Sequence, residues 1–190
     1  MGDVIVIQFS TLDGVVSDPD GRAGTEYGGW AFRYGTGPVA DDKFRLGPAM
    51  EAQLYGRRTW EAFAKLWPGR DSDYARVMNA VPKFVATSTG IDATAWKNSS
   101  AIDGDALAWV QTERERRNIV VIGSLSLVHA LAAADLVDEY RIITFPFVAG
   151  QGDRLFAGGA PADFRFARAE PLDAAVLTIL RRTRKDTGDS

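Results

Sequence analysis

Three short runs of mostly apolar, β-branched-rich residues stand out along the chain: Val4-Ile5-Val6-Ile7, Lys83-Phe84-Val85-Ala86-Thr87 and Asn118-Ile119-Val120-Val121-Ile122-Gly123. Unbroken hydrophobicity is the pattern of a strand covered on both faces, so each run predicts an interior strand of a largely parallel sheet. Ala52 to Tyr55 is a further strand candidate that ends on Gly56, with a helix beginning near Thr59. Elsewhere the pattern turns helical. Over 104–117, Ala106, Leu107 and Val110 share one face while Glu113, Arg114, Glu115, Arg116 and Arg117 crowd the other, predicting a solvated charged face with a Glu113–Arg117 pair across one turn. Leu125 to Ala134 predicts another helix, and Leu136 to Tyr140 leads into a strand running through Phe147. Alternating strands and helices imply a sheet with helices on both faces.

The end of the chain has a different period. Phe164 to Ala169 alternates apolar and polar residues, and Ala175 to Leu180 follows after a turn around Pro171 and Asp173. Two adjacent strands with no intervening helix predict an antiparallel hairpin at one edge of the sheet. Arg181 to Ser190 reads as a polar, frayed tail, so the expected organisation is one domain over 1–184 and a tail over 185–190. The long segment 18–38 opens with the turn Asp18-Pro19-Asp20-Gly21 and mixes glycines with Tyr27, Trp30, Phe32 and Tyr34. It is either a loop packing its rings on the core or a lid presenting them to a flat ligand.

Composition narrows the function classes. With 46% apolar residues in 190 positions, one sizeable core is expected rather than disorder. Basic and acidic residues nearly balance (22 against 25), which argues against nucleic-acid and membrane-surface binding. The absence of cysteine removes disulfides, thiolate metal sites and thiol catalysis, and a single histidine, His129, precludes a histidine-rich metal centre. No metal site is expected. There is no run of 18 apolar residues and no basic secretion-type start, so the expectation is a soluble, cytoplasmic protein without a membrane partner.

Candidate chemistry gathers where strands end. Gly56-Arg57-Arg58-Thr59 joins a strand to a helix, and glycine permits close approach to backbone N–H groups while two arginines add fork-shaped donors. The segment is either an anion site or a helix start with two solvated arginines. Asp13, in Ser10-Thr11-Leu12-Asp13-Gly14 after the first strand, is either a turn residue or a carboxylate at the mouth of the sheet able to bind an amide or relay a proton. His129 reads as an exposed helix histidine without a role.

Gly56-Arg57-x-Thr59-Trp60-Glu61 closely resembles the cofactor-binding segment of dihydrofolate reductases. The resemblance continues in order through Lys83 to Thr89, Val120 to Leu127 and Leu136 to Ile142. The chain is still more similar to the branch that includes the C-terminal reductase domain of the riboflavin-pathway bifunctional deaminase–reductase. Four motifs carry this likeness over about 4–180: Ser10-Thr11-Leu12-Asp13-Gly14, Leu54-x-Gly56-Arg57-x-Thr59, Gly123-Ser124-x-Ser126-Leu127 and Gly150-x-Gly152-Asp153-x-Leu155-Phe156. Where the reductases carry a Gly-Gly pair joined by a cis peptide, this chain has Gly123-Ser124.

The resemblance implies a three-layer α/β/α dihydrofolate reductase-like fold, with a mixed, mostly parallel central sheet and a C-terminal antiparallel hairpin. It implies an oxidoreductase of the riboflavin-biosynthesis kind that binds NADPH and transfers a hydride to a small heterocycle. Cofactor contacts are expected from Gly56, Arg57, Arg58 and Thr59, from Thr87, Ser88 and Thr89, and from Gly123, Ser124, Leu125, Ser126 and Leu127. Asp13 is the expected catalytic residue, with Thr11, Trp30 and Asp42 (Asp41 lies in the same region) on the substrate side. Relatives commonly pair through their C-terminal strands, which implies a homodimer. The alternative is a non-catalytic nucleotide-binding module that keeps the crevice.

Overall fold

The computed structural model describes residues 1–35 and 50–184. Among these, eight strands form one sheet: β1 (Val4–Thr11), β2 (Ala52–Gly56), β3 (Lys83–Ala86), β4 (Ser99–Ala101), β5 (Ile119–Ile122), β6 (Glu139–Phe145), β7 (Phe164–Leu172) and β8 (Ala175–Arg182). Their spatial order is β4-β3-β2-β5-β1-β6-β8-β7. The first six run parallel to their neighbours, and only β8 and β7 join antiparallel, as a hairpin on β6. Four α-helices among the described residues accompany the sheet: α1 (Arg57–Ala64), α2 (Asp73–Ala80), α3 (Ala106–Glu113) and α4 (Leu125–Ala133).

Strand alternation sorts the apolar runs into two layers of core. Val4, Val6, Leu54, Ile119 and Val121 pack with Val110 of α3 and Leu127, Val128 and Leu131 of α4. Their neighbours Tyr55 and Val85 turn to the opposite face, against Trp60 of α1 and Tyr74, Ala75 and Met78 of α2. Period-two geometry thus sends alternate residues of these strands to opposite faces, and Ile5, Ile7 and Val120 form a smaller cluster of their own with Met50 and Ile122. Each fully buried aliphatic side chain contributes about 1.5–3 kcal/mol.

Several sequence expectations require correction. α1 starts at Arg57, two residues before Thr59. Pro171 lies inside β7 rather than in a turn; β7 is an edge strand, where a missing N–H donor is tolerated. The charged run after α3 is not wholly solvated. Glu113 forms the expected pair with Arg117 (2.7 Å) but is buried, and Arg114 is buried against Asp138 at 2.7 Å. Arg181 and Arg182 belong to β8, and Arg184 pairs with Asp138 at 2.6 Å, so the polar tail does not begin at 181.

Trp30 is also reassigned. It is fully buried, edge-on to Phe145 at 5.6 Å, with its indole N–H donated to the Ser17 carbonyl. Its ring is core and cannot stack on a ligand in this arrangement. The loop around it is organised by Asp18, whose carboxylate accepts from the N–H groups of Ala23 and Thr25 and from the Thr25 hydroxyl. A Cβ at Gly28 would lie 2.2 Å from that carboxylate, which is why glycine stands there. Asp41, Asp42 and residues 36–38 and 185–190 lie outside the described residues.

Candidate active site

Because β3, β2, β5 and β1 are parallel and run side by side in the order β3-β2-β5-β1, the segments that follow them line one edge of the sheet. Residues 87–89, 56–59, 123–127 and 11–17 therefore lie along that edge; the first three are the segments expected to meet a cofactor. Gly56 and Ser124 touch: the Ser124 hydroxyl accepts from the Gly56 N–H at 2.7 Å and donates to the Thr59 hydroxyl at 2.8 Å. A Cβ on Gly56 would come within 2.9 Å of that hydroxyl. Ser124 thus ties two strand ends together with its side chain and offers the crevice its backbone. The Gly123-Ser124 peptide is trans, and both residues take left-handed angles, φ 69° and 60°.

The four helices differ at their starts. Ser72 caps α2 and Asp105 caps α3 through side-chain hydrogen bonds to the first turn. Gly56 and Ser124, at the starts of α1 and α4, supply no such cap. The two uncapped helix starts both belong to the crevice edge, where unpaired N–H groups and the positive end of the dipole suit an anion. Arg57 is held there by Glu61 (2.7 Å) and by the Thr89 hydroxyl. Arg58 is exposed and forms no ion pair among the described residues. The Thr87 hydroxyl accepts from the Thr89 N–H, leaving Ser88 exposed at the tip.

Asp13 is placed at the mouth of the sheet, with both carboxylate oxygens engaged. One carboxylate oxygen accepts from the Thr11 hydroxyl (2.6 Å) and the Ala149 N–H (3.1 Å), and the other accepts from the Gly150 N–H (2.8 Å). The Thr11 hydroxyl, followed by the two backbone donors, outweighs desolvation and lowers the Asp13 pKa to about 2. The hydrogen bonds thus hold the carboxylate in its ionised form. It clamps 149–150 onto the end of β1. Thr11 is likewise buried, its hydroxyl donated to Asp13 and accepting from the Val15 N–H, so it is a support rather than a substrate contact.

A pH dependence follows from the clamp. With a folded pKa of about 2 against an ordinary 3.8, its stabilisation is complete above about pH 4 and lost as the pH falls toward 2. Asp13→Asn is expected to flatten the dependence of stability on pH in that window, measured by urea unfolding at pH 5 and at about pH 2.5. Identical acid slopes for the two proteins would dispose of the clamp.

Next to the start of α4 is a cavity of about 480 Å³ lined by Leu125, Ser126, His129, Gly152, Asp153, Arg154 and Ala157. Leu125 and Ser126 are expected site residues; His129, Asp153 and Arg154 are not, although Gly150-x-Gly152-Asp153 is one of the motifs that carry the resemblance. His129 is half-buried, its Nε2 3.1 Å from the Arg154 carbonyl and 3.0 Å from that of Leu155. Among the described residues no cluster of three or more histidine or carboxylate side chains could hold a metal, and no helix is long and apolar enough to cross a membrane.

Comparison with known proteins gives a consistent family match. The profile of the RibD C-terminal domain covers residues 3–178. No curated protein matches the chain. Among solved structures, a Shewanella protein assigned provisionally to riboflavin biosynthesis is 22% identical, with a TM-score of 0.75 over 97% of this chain and 100% of that one. Acinetobacter baumannii RibD is 15% identical (TM-score 0.67), covering 96% of this chain and 58% of that chain. The Thermotoga maritima diaminohydroxyphosphoribosylaminopyrimidine deaminase/5-amino-6-(5-phosphoribosylamino)uracil reductase is 18% identical (TM-score 0.63), covering 96% and 57%. This chain therefore spans little more than half the length of the Acinetobacter and Thermotoga proteins and the whole of the Shewanella one.

Proposed function

The chain belongs to the RibD C-terminal domain family, and on that premise we propose that it is an NADPH-dependent cytoplasmic reductase acting on a C=N or C=O carbon of a small heterocycle, of the class represented by 5-amino-6-(5-phosphoribosylamino)uracil. The observation that carries this reading is the pairing of two uncapped helix starts with the exposed side chains of Arg57, Arg58 and Ser88 along one sheet edge. Arg57 and Arg58, with Thr87, Ser88 and Thr89, suit a 2′-phosphate, as fork-shaped guanidinium donors match phosphate oxygens. The backbone N–H groups of Leu125, Ser126 and Leu127 suit a pyrophosphate at the start of α4. The adjoining cavity has room for the nicotinamide half and a substrate ring.

NADPH, when bound, would supply the hydride, and water would supply the proton that the substrate heteroatom takes up. The chain's own part is to orient the two rings and limit water, with Asp13 holding the 149–150 wall in place. Titration with NADPH, followed by calorimetry and by quenching of tryptophan fluorescence, tests the assignment. Saturable heat and quenching are expected, and neither signal at millimolar NADPH would reject it. A second reading, a nucleotide-binding module without turnover, is favoured by the engagement of both Asp13 oxygens. Consumption of NADPH in the presence of aminopyrimidine substrates separates the two.

We also propose a homodimer through the hairpin edge. β7 is exposed along most of its length, with Phe166 71% accessible, and an unpaired apolar edge invites a symmetric partner. Sedimentation is expected to give twice the monomer mass; a 20.6 kDa species at micromolar concentration would overturn the proposal.

A further inference from the structure

We propose that His129 is a positioning residue that sets the loop 152–155 as one wall of the cofactor cavity, an inference that rests on the reductase reading and assigns a role the sequence did not suggest. Both partners of Nε2 are carbonyl oxygens, which only accept, so Nε2 carries a hydrogen and donates it between Arg154 and Leu155. The same loop is tied to the segment 14–17 that follows β1: the Val16 N–H donates to the Asp153 carbonyl, the Asp153 N–H to the Ser17 hydroxyl, and the Leu155 N–H to the Gly14 carbonyl. Three consecutive carbonyls are thereby satisfied, that of 153 from the β1 side and those of 154 and 155 from α4.

The geometry gives His129 leverage on the cavity. It sits one turn beyond Leu125 and Ser126, on the helix whose free start forms one wall, and it grips the loop that forms the other. The ring therefore fixes the distance between the two walls. Loss of its N–H leaves two carbonyls to find water and lets the loop move away from α4, while the arginine and hydroxyl end of the crevice, on β2 and β3, is untouched. The nicotinamide half of the cofactor should feel the change, and the adenosine half should not.

The test compares two ligands on three proteins. In His129→Phe, or His129→Leu should the larger ring not fold, NADPH is expected to bind about tenfold more weakly, because the loop must then be ordered against α4 on binding. Adenosine 2′,5′-bisphosphate should bind as it does to the wild type. His129→Gln, which returns an N–H donor at similar reach, should restore NADPH binding. Hydrogen exchange of peptides spanning 150–157, without ligand, should rise in the apolar variant and return in the glutamine one. Unchanged NADPH affinity in the apolar variant, equal losses for both ligands, or failure of glutamine to rescue would overturn the positioning role. A wild type that binds neither ligand overturns the cofactor reading itself and is recognised without any variant.

Discussion

Replacing Arg57 and Arg58 together by alanine is expected to weaken NADPH binding by roughly ten- to a hundredfold while changing NADH binding little. A charge-assisted contact to a phosphate contributes about 1.5–3 kcal/mol, and NADH lacks the 2′-phosphate to receive it. Arg57 is the stronger candidate, because Glu61 and the Thr89 hydroxyl already hold its guanidinium and spare part of the ordering entropy on binding. Arg58 has its full side-chain freedom to lose. Stability should not follow affinity. Two cations at the first turn of α1 oppose the positive end of its dipole, so their removal is expected to leave the melting temperature unchanged or slightly raised. Paired calorimetric titrations and thermal melts check both halves. Equal losses for the two cofactors would move the arginines to the pyrophosphate, and a large drop in melting temperature would make them structural.

Lys83→Met is expected to destabilise the fold by about 3 kcal/mol or more, the largest stability effect anticipated for a single polar side chain here. Lys83 is fully buried at the start of β3, and its ammonium donates to the carbonyls of Asn79 (2.9 Å), Val81 (2.8 Å) and Lys97 (3.1 Å). It also lies 4.7 Å from the centre of the Trp96 ring. Burial lowers its pKa to about 8, which still leaves it charged near neutral pH. Methionine fills similar volume and avoids the desolvation of a charge, but supplies no donor, so the Val81 and Lys97 carbonyls lose the ammonium, while that of Asn79 keeps the Asn98 side-chain N–H. Each such group costs about 1–3 kcal/mol, offset in part by the charge no longer buried. Chemical denaturation of the two proteins measures the difference, and a loss below about 1 kcal/mol would show that water serves those carbonyls as well as the ammonium does.

What could be read from the sequence and what could not divides along the range of the interactions. Val4 to Ile7 and Asn118 to Gly123 announce interior strands because the signal, unbroken apolar character, lies within the strand itself. The edge proposed for the cofactor is legible for a similar reason: each of its segments directly follows a strand, and parallel pairing brings such ends together. Trp30 is not legible, because its burial depends on Phe145, more than a hundred residues away. Arg114 looks solvated until Asp138 is placed beside it. Asp13 and Thr11 look like site residues, but the N–H groups of Ala149 and Gly150 engage the Asp13 carboxylate. His129 has no local signal, since the carbonyls it serves lie 25 and 26 residues further on.

The position of β1 has a consequence for how the protein is made. It is the first strand in the chain and sits inside the sheet, with β5 and β6 as its two neighbours. Val4 pairs with Ile119, and Ile5 with Glu139. At ribosomal rates of about 5–20 residues per second, β1 therefore emerges on the order of ten seconds before its first native partner. During that interval Val4 to Ile7 is an uncovered apolar strand with both edges unpaired, the species most prone to association with other nascent chains. Closure of such distant pairs is slow even in the complete chain. Slowing translation before residue 119 should lower the soluble yield, and a chaperone that shelters extended apolar segments should restore it.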